Sequence, residues 1–141
     1  MTKSITAPTL ADIDALAKAA LNLLPAELKS FTGDVVILTQ EFPDDEVCRE
    51  MELESPFDIL GLYQGTSLAD KQVETSGNMP DMVFIYRRPI LDYWCETGEE
   101  LGHVVRHVLI HEIGHHFGFS DETMEAIEEA AEEEEAKASQ A

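Results

Sequence analysis

His111, Glu112, His115, Gly118 and Asp121 are the residues of this chain whose types and spacing could do chemistry. The stretch reads His111-Glu112-Ile113-Gly114-His115-His116-Phe117-Gly118-Phe119-Ser120-Asp121. Two histidines four apart lie on one face of a helix, with Cβ atoms about 5–6 Å apart. Both imidazoles can then reach a single metal ion at about 2.0–2.1 Å. Glu112 is rotated by about 100° from His111 around the axis. It is poorly placed to join that ligand set and well placed to reach a water on the ion. Gly118 falls where such a helix should stop, and glycine permits a left-handed turn there. The turn is expected to return Asp121 toward the histidines as a third protein ligand. Three ligands and one position left for water is the catalytic zinc pattern, not the closed structural one. The expected ligands are therefore His111, His115 and Asp121, holding one Zn2+ per chain, with Glu112 as general base. The same donors could also take Fe(II).

Other side chains compete for roles around that site. His107 sits one turn before His111, which invites a contact with the ligand ring, although an ordinary packed or partly exposed histidine is the commoner case. His103 lies a turn further back. His116 is rotated about 100° from His115 and is not expected to ligate. Tyr63, Tyr86 and Tyr93 could each offer a hydroxyl to a transition state, yet nothing in the sequence singles one out. Cys48 and Cys95 have no partner at ligand spacing and read as small buried hydrophobes. Two cysteines make no disulfide framework, which fits a reducing cytoplasm.

The elements that must position the site follow from periodicity. Thr9 with Asp12 is a capping-box-like start. The stripe Ile13, Leu16, Ala17, Ala20, Leu21 and Leu24 then marks a helix, and Pro25 opens a further turn through Leu28. Val35–Leu38 is a short β-branched run after Gly33, and so a buried strand. Residues 44–51 could be a short helix and 59–63 a strand. Residues 64–81 are rich in Gly, Ser, Asn, Asp and Pro and read as a loop or irregular hairpin. Met82–Tyr86 is a clear strand, and the expected edge on which an extended peptide would dock by main-chain hydrogen bonds. Pro89 begins a helical turn with Ile90, Leu91 and Trp94. Thr97 and Glu100 form a capping box for the longest helix, about 98–117 and roughly 30 Å long. Leu101, Val104, Val105 and Val108 make its apolar stripe, whose continuation lands on His111, Glu112 and His115.

Charge narrows the partners. The 141-residue chain has a net charge of −20 and is 44% hydrophobic, enough for one modest core. Residues 121–141 hold nine acids and one base, and residues 1–120 still carry −12. Such a surface repels phosphate backbones and argues against nucleic acid or an anionic membrane as partner. No run of about 18 apolar residues exists, and Asp12 and Asp14 interrupt the first apolar stretch, so no export signal is expected. Residues 1–124 are read as one domain. Residues 125–141 are read as an acidic, partly helical or frayed tail, dispensable for chemistry.

Residues 111–121 fit the pattern HExxHxxGxxD, a variant of a known signature with aspartate as the third ligand. With Val35–Leu38, Met82–Tyr86 and Val105–Asp121, the chain resembles the minimal zincin-like metallopeptidases over roughly residues 25–124. The resemblance implies an α+β zincin-like fold: a small twisted mixed sheet, a backing N-terminal helix and a long active-site helix beneath a cleft. It implies His111, His115 and Asp121 as zinc ligands and Glu112 as the catalytic residue. Related metallopeptidases carry a methionine turn under the metal, and Met124 stands three residues after Asp121, either in that part or as an ordinary apolar residue. The expected reaction is metal-assisted amide hydrolysis of a short or unfolded peptide. Two other classes fit the same residues: a metal-dependent binding or regulatory module without turnover, and a zinc hydrolase acting on RNA. The absence of a basic stripe separates the last from a peptidase. The sequence leaves the oligomeric state open.

Overall fold

The computed structural model describes residues 6–32, 34–65 and 80–140. Most of the Gly/Ser-rich segment between the second and third strands lies outside these residues. The elements run α1 (Leu10–Asn22), α2 (Ala26–Thr32), β1 (Val36–Gln40), α3 (Asp45–Glu50), β2 (Gly61–Gln64), β3 (Met82–Tyr86), α4 (Arg87–Thr97), α5 (Leu101–Phe117) and α6 (Asp121–Gln140). This is a small α+β fold with a three-stranded mixed sheet.

α1 starts where its capping box lies: Thr9 Oγ1 accepts from Asp12 N and Asp12 returns the bond to Thr9 N. Its stripe of Ile13, Ala17 and Ala20 is buried. α1 packs on β1 and on α5, and α5 packs on β2 and β3. The two helices thus lie side by side over one face of the sheet. Burial alternates along the strands accordingly: Ile37, Val83 and Ile85 point into the helices. On the opposite face Leu38 pairs with Phe84 and Phe84 with Leu62, with Val36 beside Met82. Val36 and Leu38 are exposed there.

The strand order is β1-β3-β2, with β1 parallel and β2 antiparallel to β3. β3 is therefore central and cannot be the docking edge expected for residues 82–86. Its backbone groups are already shared between two neighbours. Its run Met82-Val83-Phe84-Ile85-Tyr86 is also the most continuously apolar of the three, as suits an inner strand.

Three helices differ from their sequence reading. α4 runs eleven residues, not a single turn, and ends at left-handed Gly98. Thr97 belongs to that end, where its Oγ1 accepts from Glu99 N at 3.3 Å, so it caps nothing in α5. α5 begins only at Leu101, and Glu100 caps it without a side-chain hydrogen bond. The third is α6, 20 residues long and packed back along α5. Met124 and Ala131 are buried, and Arg106, itself buried, bonds Glu135. The boundary drawn at residue 124 falls inside this helix. Met124, Ile127 and Ala131 give the helix an apolar side that packs inward, and most of its glutamates project into water.

Candidate active site

α5 carries the site at its C-terminal end. Val104, Val105, Val108, Leu109 and Ile113 face the sheet and α1, while Arg106 and Ile110 are covered as well. The helix is buried nearly all round because the sheet and α1 lie on one side and α6 follows it on another. His111 and Glu112 are half-buried at the margin of this stripe, and His115 is exposed. The histidines border the apolar stripe instead of continuing it, which leaves them open to solvent and to a substrate.

His111 and His115 stand with ring centroids 5.8 Å apart and planes at 85°. Burial pushes the His111 pKa down, and the neighbouring His107 adds to this, against the opposing charges of Glu128 and Asp121. A neutral imidazole is the form that binds metal. Glu112 is pushed up by burial, partly offset by the hydrogen bond from Tyr63 N–H and by the nearby His115. The Tyr63 N–H donates to Glu112 Oε1 at 3.2 Å. Tyr86 N donates to Leu60 O across the β2–β3 ladder. In an antiparallel pair such bonded positions alternate, so Gly61 and Tyr63 turn their backbone groups away from β3. Glu112 therefore lies along the outer edge of β2. A pocket of about 260 Å³ opens there, lined by Asp58, Ile59, Leu60, Gly61, Val108, His111 and Glu112.

Gly118 takes the left-handed conformation, φ 75°, and ends α5 as expected. Ser120 then caps α6, its Oγ accepting from Thr123 N. Asp121 is the exposed first residue of α6. Its charge reaches His111. Among the described residues, two trios of possible metal donors have ligand atoms all within 4.8 Å of one another: His107–His111–Glu128 and Glu100–His103–Glu135. Asp121 belongs to neither. Met124 packs under α5 so closely that a Cβ on Gly114 would lie 2.3 Å from its sulfur. Met124 thus fills the space beside Gly114, and only glycine at 114 leaves room for it.

The remaining candidates separate cleanly. His116 stacks on Tyr63, ring centroids 3.9 Å apart, and turns away from His115's partner. The Tyr63 hydroxyl donates to Asp81 at 2.7 Å, Tyr86 is buried, and Tyr93 is exposed on α4. Cys48 is half-buried, but Cys95 is exposed, contrary to the sequence reading. His103 only approaches Glu100, at 3.9 Å. His107 does have a partner: its Nδ1 lies 2.6 Å from Glu128 Oε1. Sequence reasoning missed Glu128 altogether, and it weighed Tyr63 only for its hydroxyl. Glu128 looked like one of eight equivalent tail glutamates, and Tyr63 acts through its main chain, which no residue type announces.

No helix among the described residues is long and apolar enough to cross a membrane. No curated protein matches the chain. The zincin-like metallopeptidase family model matches residues 32–131, from the end of α2 to the buried Ala131 of α6. That span takes in the sheet, the paired histidines, the edge-facing glutamate and the first half of the helix packed on α5, and by this match the chain belongs to the zincin-like metallopeptidase family.

Proposed function

We propose that the protein is a zinc-dependent peptidase. The observation that carries this reading is Glu112: a carboxylate in a partly apolar setting, beside a histidine pair, facing the outer edge of β2. The donors fit zinc. Two imidazoles on successive turns, one kept neutral by burial, supply the borderline-soft nitrogen ligands that zinc prefers. Asp121 is the proposed third ligand, reached by a turn of its exposed side chain. A zinc ion held there supplies Lewis acidity and an acidified water.

The chain's own residues do the rest. Glu112 accepts the water's proton at its carboxylate and passes it to the departing amine. Its raised pKa makes it a stronger base than an ordinary glutamate. The Tyr63 N–H fixes the carboxylate's direction in the free protein. An extended peptide would dock against the outer edge of β2, where Gly61 lines the pocket and turns its backbone groups away from β3. A chain of this charge would take its substrates from unfolded or short peptides without an acidic bias. We place the protein in the cytoplasm, in keeping with its two unpaired cysteines.

The test compares Glu112→Gln and Asp121→Ala with the unaltered protein, measuring bound zinc and cleavage of an unbiased peptide library. Glu112→Gln should keep its zinc and lose about 10²- to 10⁴-fold in cleavage. Asp121→Ala should weaken zinc binding sharply, with partial recovery in Asp121→His and little change in Glu122→Ala. Undiminished cleavage by Glu112→Gln would remove it from the reaction. Normal zinc binding with no cleavage of any peptide would favour the binding module over the peptidase.

A further inference from the structure

We propose that His107, His111 and Glu128 form a second ligand set for a divalent transition metal, sharing His111 with the His111–His115 pair. The helical spacing that puts His111 over His115 also puts His107 over His111, so α5 carries three imidazoles in a row. The first two have ring centroids only 3.9 Å apart. α6 then lays Glu128 across them. One carboxylate oxygen lies 2.6 Å from His107 Nδ1 and the other 3.9 Å from His111 Nε2. The three ligand atoms lie within 4.8 Å of one another.

Donor atoms around a tetrahedral zinc stand about 3.3 Å apart, as bonds near 2.0–2.1 Å require. The two Glu128 oxygens, one 2.6 Å from His107 Nδ1 and the other 3.9 Å from His111 Nε2, fall on either side of that value. Adjusting them asks only for rotation of Glu128 and His107, of which His107 is more than half exposed. Two nitrogens and one carboxylate suit zinc, with cobalt or nickel as close substitutes. A metal there would replace the direct contact between His107 and Glu128. Its charge would also screen the glutamates that crowd α6.

The consequence for turnover rests on the peptidase reading, whereas the ligand set does not. His111 has one nitrogen directed at Glu128 and cannot serve both sets fully at once. An ion held by His107 and Glu128 would lie one helical turn back from the His111–His115 pair, on the side of His111 away from His115. Metal in this set is therefore idle, and the fraction of active molecules depends on how the ion divides between the two.

Zinc titration against a competing chelator tests this in the full-length chain. His115→Ala should still bind one zinc, about 10- to 100-fold more weakly than the unaltered protein. Adding His107→Ala or Glu128→Gln to His115→Ala should lower the affinity by a further tenfold or more. Two double variants that bind as tightly as His115→Ala alone would overturn the proposal. A second readout uses no added substitution. In His115→Ala, zinc should shift the imidazole nitrogen resonances of His107 together with those of His111, and an unmoved His107 would equally overturn it. Failure of the first reading looks different: His115→Ala would then bind zinc as tightly as the unaltered protein.

Discussion

Glu112 and Tyr86 show how much a residue's chemistry depends on what the fold lays beside it. Glu112 was legible because helical spacing alone rotates it off the histidine face. Its hydrogen-bond partner was not, since Tyr63 lies 49 residues away and contributes a main-chain group. Tyr86, at the end of β3, is almost wholly buried, and its pKa is pushed up to about 12 by burial first, then by Asp44, Cys48 and Glu112. An unfolded chain ionises this phenol near pH 10. The folded chain holds its proton to higher pH, so above about 10 the unfolded state binds fewer protons and stability falls as pH rises. Below pH 10 the contribution is fully present. Urea unfolding at pH 8 and pH 11.5 should show a loss on the order of 2 kcal/mol attributable to Tyr86. Tyr86→Phe, which has no proton to lose, should flatten that part of the decline. An unchanged decline in the variant would mean Tyr86 is not a source of the alkaline sensitivity.

At the scale of elements, local signals were reliable and tertiary ones were not. Thr9 with Asp12 and the run Met82–Tyr86 placed α1 and β3 because capping and β-branching act within a few residues. The strand order could not be read from the runs themselves, since pairing joins residues dozens of positions apart. Thr97 misled because the residue that caps one helix can equally end another, and Gly98 decides for the end. α6 was misjudged by composition: glutamates dominated the count while Ile127 and Ala131 decided the packing. The structure predicts that a chain ending at Glu125 is not merely less soluble. It exposes the α5 surface around Ile110 and leaves the buried Arg106 without its Glu135 partner. We expect a stability loss of about 2 kcal/mol or more, roughly 5–10 °C in Tm. Thermal unfolding of the truncated and full chains checks this, and equal midpoints would restore α6 to a passive tail.

For the molecule as a whole, the site and its supports divide by sequence distance. The candidate donors His111, His115 and Asp121 fall within eleven residues of one helical hairpin, α5 to α6, so a short stretch was enough to single them out, whereas Glu128 needed the packing of α6 on α5. The outer edge of β2 and the pocket wall at Asp58–Gly61 come from elsewhere and needed the fold.

The outward face of the sheet has a colloidal consequence. Val36, Leu38, Phe84 and Leu62 form an apolar row that no described helix covers, on a sheet whose edge strands β1 and β2 have no further strand partner among the described residues. Flat apolar strands with free edges are templates for self-association. What keeps copies apart is long-range repulsion between bodies of net charge −20. That barrier vanishes near the sequence pI of about 4.3 and shrinks as salt shortens the Debye length. Light scattering at low salt should therefore rise steeply as pH falls toward 4.3, well before the helical signal is lost, and added salt should move the onset to higher pH. Val36→Lys should delay the rise by placing charge on the row itself. Scattering that instead tracks the loss of helix would trace the aggregation to unfolding, and the face would then be harmless.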